Sequence, residues 1–293
     1  MSDAESDLSH LTGGSEVFTN FSFDVKDTPI WRYTSLAKFV NVLRAGSSEM
    51  GELVFLRADI FEDEYEGTLP QENREFKRSL WENTISDIAR INVNLKDEGS
   101  KVVENPSEED IDLLMKADQE FRERMRKVTY MNCWRRDEYE SSSMWEAYTT
   151  RSDGIAIKST ISDLVNSFEN WSGRVFVSDV EYKDFESVET EFPEGFIDLT
   201  SLSPYFLKRE EFKDEREIRA VITDYDHPKM YPGPRESMPS PGKETRAAAV
   251  DLSQLINSVV VHPDSKPYLK KTVRHILKNH GLDPELVTES SLR

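Results

Sequence analysis

Apolar and polar positions along the chain fall into short runs of period two and longer runs of helical period. Ile30-Trp31-Arg32-Tyr33-Thr34 predicts a strand. Ser35 then caps a helix with Leu36, Phe39, Val40 and Leu43 on one face, and Gly46 stops it. Leu53 to Arg57 predicts a second strand, and residues 59–67 (DIFEDEYEG) an acidic loop closing on Gly67. A helical period follows from Gln71 to Leu95, through Phe76, Leu80, Ile88 and Ile91. After a polar linker, Asp97 to Pro106, Ser107 and Asp110 form a capping-box pattern. The helix it starts carries Ile111, Leu114, Met115, Phe121 and Met125 and ends near Lys127. These two helices predict an insertion over about 70–127 beside the main sheet.

Tyr130 to Thr160 reads as an apolar strand, a charged loop, a short aromatic helix and a second apolar strand. Ser159 or Thr160 caps the next helix, Ile161 to Phe168. Arg174 to Tyr182 alternates as a strand, and residues 183–204 are acidic and irregular. Tyr205 to Phe212 predicts a helix leading into the strand Glu217 to Ile222. Residues 226–246 predict a mobile loop. Asn257 to Val261 predicts a strand and Lys266 to His280 a helix stopped by Gly281. About six or seven strands interleaved unevenly with helices predict α+β, a mixed, mostly antiparallel sheet with flanking helices. The expected organisation is a disordered acidic segment, 1–20, and a single domain, 21–293, with regular order starting near Pro29.

Composition narrows the function classes. The 293 residues carry a net charge of −19, which disfavours non-specific binding to nucleic acid or anionic membrane. Arginine slightly exceeds lysine, and the acidic excess fits a solvated surface in a salty cytoplasm, as in a halophile. No apolar run approaches the length of a membrane span, and MSDAESDLSHLTGGSE lacks the basic start and apolar core of a signal peptide. The expected compartment is the cytoplasm. The one cysteine, Cys133, lies in an apolar strand pattern and reads as a buried structural thiol.

Candidate chemistry is scattered. The five histidines show no ligand spacing, so no metal centre is expected from them. Asp59, Glu62, Asp63, Glu64 and Glu66 read as a solvated acidic loop, with magnesium or calcium binding as the alternative. Arg32 sits between aromatics at a strand end. It either pairs with a carboxylate or grips a phosphate. Strand alternation puts Glu215, Glu217 and Arg219 on one face, as a salt-bridge ladder or as carboxylates for a sugar ring. Glu140-Ser141 resembles a helix start. Trp145 and Tyr148 share a helix face, Trp145 as core and Tyr148 as the better ring for stacking on a base.

Trp31-Arg32-Tyr33-Thr34, Phe55 to Asp59 with Arg57, Phe61-Glu62-Asp63, Glu66-Gly67, Asn132-Cys133-Trp134, Glu140-Ser141 with Met144, Trp145 and Tyr148, Gly154 to Ile157, and Lys208 with Phe212, Glu215, Glu217 and Arg219 form a series. It resembles the prokaryotic domain-of-unknown-function family 2971 over roughly residues 30 to 290. That resemblance implies no activity by itself, but a setting in toxin or anti-phage systems. A more distant similarity is to the arginine-type ADP-ribosyltransferases, with Arg32, Ser159-Thr160 and Glu215-Arg216-Glu217 in the family's order, although Ile161 replaces the second serine. This resemblance implies NAD as cofactor, with Arg32 on its pyrophosphate, Glu217 on the nicotinamide ribose, Glu215 orienting the acceptor, and Tyr148 or Trp134 stacking on nicotinamide. Tyr33, Arg57 and Arg219 complete the expected binding set.

Three functions follow as expectations. One is NAD-dependent ADP-ribosyl transfer or NAD cleavage with a protein or nucleic-acid acceptor. Another is a sensor module that holds a nucleotide-like small molecule without turnover. The third is a metal-dependent nuclease using Asp59, Asp63, Glu66 and Glu215. If Arg32 and Glu217 point to opposite faces of the sheet, the transferase reading fails.

Overall fold

A computed structural model describes residues 16–21, 23–25, 27–44, 50–70, 107–186, 202–224 and 240–292, with isolated helical positions at 74, 78, 79 and 82. The strands are β1 (Glu16–Asn20), β2 (Pro29–Ser35), β3 (Met50–Arg57), β4 (Thr129–Arg136), β5 (Gly154–Thr160) and β6 (Arg174–Asp179). They continue with β7 (Glu181–Lys183), β8 (Leu207–Arg209), β9 (Glu217–Thr223), β10 (Thr245–Asp251), β11 (Ser258–Val261) and β12 (Val287–Glu289). The helices are α1 (Leu36–Val42), α2 (Glu108–Arg126), α3 (Ser142–Tyr148), α4 (Ile161–Ser167), α5 (Leu252–Leu255) and α6 (Pro267–Asn279).

The fold is α+β. Ten strands form one mixed sheet in the order β1-β6-β9-β4-β2-β5-β11-β12, with β3 also on β4 and β10 on β3. Within it β1–β6 and β11–β12 are parallel and the other pairs antiparallel. A separate parallel pair, β7–β8, sits apart.

One sheet face meets α1, α4, α5 and α6 in the main core. Ile30, Trp134, Ile157 and Ile218 pack there against Phe39, Leu164, Leu255 and Val273. At about 25 cal/mol per Å² of apolar area removed from water, this face is the main source of stability. The opposite face carries two smaller clusters. Trp31, Tyr33 and Trp145 form one, and Met131, Tyr205 and Phe206 the other.

One edge of β4 is forked. Arg135 and Arg136 pair with β2, whereas Tyr130 and Met131 pair with β3. Asn132 and Cys133, between the two pairings, are met by side chains instead. Arg32 Nη1 donates to Asn132 Oδ1 at 2.6 Å and to the Cys133 carbonyl at 3.0 Å. Asn132 Nδ2 donates to the Val54 carbonyl at 2.8 Å.

Several elements differ from the sequence reading. Regular structure reaches back to Glu16, because β1 pairs with β6 and stacks Phe18 on Phe176 at 4.9 Å. The expected strand Arg174–Tyr182 breaks at Val180 into two strands of different sheets. Tyr205–Phe212 is not a helix but a 3-10 turn, the short β8 and a second 3-10 segment, Glu210–Glu215. Most of the expected mobile loop, 226–239, lies outside the described residues, and its last positions are strand, since β10 begins at Thr245; β12 was not foreseen. Of the insertion, α2 forms with its capping box. Most of the expected helix at 71–95, and residues 1–15, lie outside the described residues.

Candidate functional site

A cavity of about 370 Å³ opens on the sheet face opposite the main core. Register sets its floor. Trp31 pairs with Arg135 and Arg135 with Glu217, so these side chains share a face with Tyr33 and Cys133. One wall is α3, started by the Ser141 cap, with Met144 and a half-exposed Tyr148 facing the space. The other wall joins residues 61–66 to β8 and the segment after it. It contributes Phe61, Glu62, Asp63 and Glu66, then Lys208, Arg209, Phe212 and Glu215. Gly67 closes the first of these segments at φ 71, where a Cβ would lie 2.6 Å from the Tyr205 ring. A left-handed residue in that space has to be glycine.

Alternating charges run into the cavity from behind. Arg219, fully buried, donates to Glu66 Oε1 at 2.8 Å, to Glu217 Oε2 at 2.6 Å and to the Tyr205 carbonyl at 2.8 Å. Lys208 Nζ donates to Glu217 Oε1 at 2.9 Å and to Glu215 Oε2 at 2.5 Å, with Glu66 Oε1 at 3.7 Å. The Glu217 amide donates to the Tyr182 hydroxyl at 2.8 Å. Arg216, between the two glutamates, takes left-handed backbone at φ 46. Glu215 belongs to the 3-10 segment rather than to the strand, so strand alternation does not explain its place beside Glu217.

Two carboxyls in contact cannot both ionise freely. Burial and the hydrogen bond to Glu217 push Glu215 up to about 7, against the pull of Lys208. Burial opposes charge on Glu217 as well, but Arg219 and Lys208 outweigh it and hold this carboxyl down at about 2. Burial likewise works against the Lys208 ammonium, yet Glu217, Glu215 and Glu66 raise its pKa. The arrangement offers a proton-transfer group near neutrality beside a carboxylate that stays ionised.

Aromatic rings hold the rim. Arg209 pairs with Asp63 at 3.2 Å and lies 4.9 Å from the Tyr65 ring centroid and 5.1 Å from that of Phe212. Lys208 lies 4.8 Å from the Phe212 centroid. Burial, then the negative charge of Glu215, pushes the Tyr148 hydroxyl up to about 12. Cys133, expected as a buried thiol, is only partly buried and borders the cavity, and desolvation pushes its thiol up to about 12.

Of the expected site residues, Glu215, Glu217, Lys208, Tyr33, Trp134, Tyr148, Asp63 and Glu66 line the cavity. Arg32 also borders it, but its role is corrected. Arg32 pairs with Ile157, a main-core position, so alternation turns it to the face opposite Glu217. Its guanidinium serves the β4 fork and lies 6.0 Å over Trp134, with no carboxylate partner among the described residues.

Other expectations are replaced by structural roles. Ser159 is buried in β5, and Thr160 caps α4 by accepting from Asp163 N at 3.0 Å; neither lines the cavity. Arg57 pairs with Asp59 at 2.6 Å and donates to the Gly242 carbonyl, away from the site. Arg219 lies behind the lining rather than in it. Glu140 binds the chain end instead, and Trp145 is core. The acidic loop is not simply solvated, because Glu66 is buried on Arg219 and Asp63 pairs with Arg209. Glu66, Glu215 and Glu217 do converge, but around Lys208. Among the described residues no group of three His, Cys, Asp or Glu is disposed to hold a metal ion.

Arg135, Arg209 and Tyr182 were missed. Their place depends on pairings between segments far apart in sequence, and no local spacing marks them. No helix among the described residues is long and apolar enough to cross a membrane. No family model, curated protein or solved structure matches the chain.

Proposed function

We propose that the cavity binds a nucleotide, with NAD the first ligand to test, and that the chain is an NAD glycohydrolase; the arginine-type transferase arrangement is set aside because Arg32 and Glu217 face opposite sides of the sheet. The observation that carries this reading is geometric: Glu215 and Glu217 share the Lys208 ammonium while Arg219 pairs with Glu217 alone, inside one ring-lined cavity. The resemblance to domain-of-unknown-function family 2971 belongs to the same proposal.

In this reading the bond between ribose C1′ and the nicotinamide nitrogen breaks, and its electron pair leaves with nicotinamide. Charge placed beforehand stabilises the developing oxocarbenium ion. Three carboxylates face two cations in the Glu66, Glu215, Glu217, Lys208, Arg219 cluster, so it is negative in excess once Glu215 is ionised. The oxygen of a water molecule forms the new bond to C1′ and gives its proton to Glu215. In this reading Arg209 takes the pyrophosphate, and Tyr148 or Phe212 stacks on a ring. Arg32, Ser159 and Thr160 have no part in this version.

The test is incubation with NAD labelled in nicotinamide, comparing wild type with Glu217→Gln and Glu215→Gln. Release by wild type, reduced at least about a hundredfold in each variant, supports the reading. Binding of NAD without release makes the cavity a non-catalytic sensor. Neither binding nor release overturns the reading altogether.

A further inference from the structure

A second, smaller depression lies at the same end of the sheet, lined by Thr28, Pro29, Arg136, Asp137, Glu138 and Arg216. Arg136 pairs with Ile30, a main-core position, so it faces away from Arg135 and the first cavity. Its guanidinium stacks on the Phe23 ring at 3.9 Å. It has no hydrogen bond or ion pair among the described residues. Arg216 is the middle residue of Glu215-Arg216-Glu217. Its left-handed backbone turns the chain between the two glutamates, and its carbonyl accepts from Arg136 N at 2.9 Å. Its guanidinium is more than half exposed, 3.7 Å from Asp137. That carboxylate is already engaged by Arg135 at 2.9 Å.

We propose that Arg136 and Arg216 form a binding site for a phosphate-type dianion, separate from the first cavity. A guanidinium held flat by a ring and with its N–H groups unclaimed is prepared for two parallel bonds to phosphate oxygens. A second guanidinium in the same depression supplies the other charge. Asp137 is shared with Arg135, so three arginines meet the two carboxylates of Asp137 and Glu138 there and one positive charge is left in excess. Because Arg216 lies between Glu215 and Glu217, an anion held there also fixes the turn that sets those two carboxyls. The site does not depend on the first cavity binding NAD.

The experiment is thermal unfolding of the full chain in inorganic phosphate, against chloride of equal ionic strength. Wild type, Arg136→Gln, Arg216→Asn and Arg209→Gln are compared; asparagine tolerates the left-handed backbone. The expected result is a rise of about 2–4 °C in wild type and Arg209→Gln that is absent in the other two. A parallel series with AMP separates the sources. An equal rise points to a phosphomonoester ligand, and a rise with inorganic phosphate alone to the free ion. The proposal is overturned if wild type shows no rise over chloride, if the rise survives in Arg136→Gln and Arg216→Asn, or if Arg209→Gln abolishes it.

Discussion

Glu215 and Glu217 share one ammonium, at 2.5 and 2.9 Å from Lys208, yet their proton affinities are driven in opposite directions. The asymmetry comes from Arg219, which touches Glu217 and does not touch Glu215. One carboxyl is therefore fixed as an anion and the other left to titrate.

The pH dependence of stability follows from these directions. The Glu215 carboxyl is raised, so between the ordinary carboxylate range and about 7 the native state binds more protons than the unfolded one. Stability contributed by that proton is full at low pH and is lost as pH rises through this window. Glu217 has the opposite sign: its contribution is present above the ordinary range and disappears as pH falls towards about 2. Urea unfolding at pH 5 and pH 8 is expected to show a loss of about 1–3 kcal/mol across the interval in wild type that Glu215→Gln lacks. The same loss in both proteins would contradict the assignment.

Lys208→Met should be among the most damaging substitutions of the second sheet face. It leaves Glu215, Glu217 and Glu66 around an apolar chain end, with Arg219 as the remaining cation. Removing one member of a buried ionic group costs about 3–5 kcal/mol, and Lys208→Arg should cost less because the charge remains. Denaturant midpoints of the two variants check the ranking.

Much of the fold was legible because its elements are local. The Ser35, Ser107, Ser141 and Thr160 caps, the alternation of β2 and the amphipathic α6 all follow from a few neighbouring residues. The failures are non-local. β1 exists because β6 pairs with it, and Leu207–Arg209 is a strand because β7 lies beside it, against the helical look of its sequence. For the site, Glu215-x-Glu217 was readable as a pair of acids. That Arg32 faces away from them was not, since the relative facing of β2 and β9 depends on how each pairs with β4.

Arg32→Met tests that fork. Without the guanidinium the Cys133 carbonyl and Asn132 Oδ1 each lose a donor, although Trp134 Nε1 still reaches Asn132 at 2.8 Å. The expected cost is about 1–3 kcal/mol in stability, with ligand affinity of the cavity changed less than tenfold. An affinity loss of a hundredfold or more at unchanged stability would make Arg32 a ligand-gripping residue after all.

Cys133 should react slowly despite bordering the cavity. Burial, with the charge of Glu217 close by, pushes the thiol up to about 12, and the thiolate is the reactive form. Modification by a disulfide reagent at pH 7.5 is expected to be at least about a hundredfold slower in the native protein than in urea. Comparable rates would show that the thiol is not held in its neutral form.

Glu140 ties the chain end to the cavity wall. Its carboxylate accepts from Ser290 Oγ at 2.5 Å, from the Ser291 amide and hydroxyl at 2.7 and 3.0 Å, and from Trp145 Nε1 at 3.1 Å. Trp145 in turn packs edge-on against Tyr33 at 5.0 Å, and its helix carries Met144 and Tyr148 into the cavity. Hydrogen bonds to a charged acceptor contribute about 1.5–3 kcal/mol each when buried and less at a partly exposed site such as this. Glu140→Ala is therefore expected to cost about 1–2 kcal/mol overall. Locally it should speed amide hydrogen exchange in residues 142–148 and 287–292 together, while α6 stays protected. Faster exchange at the chain end alone would mean that α3 keeps its place without Glu140, and the coupling would have to be abandoned.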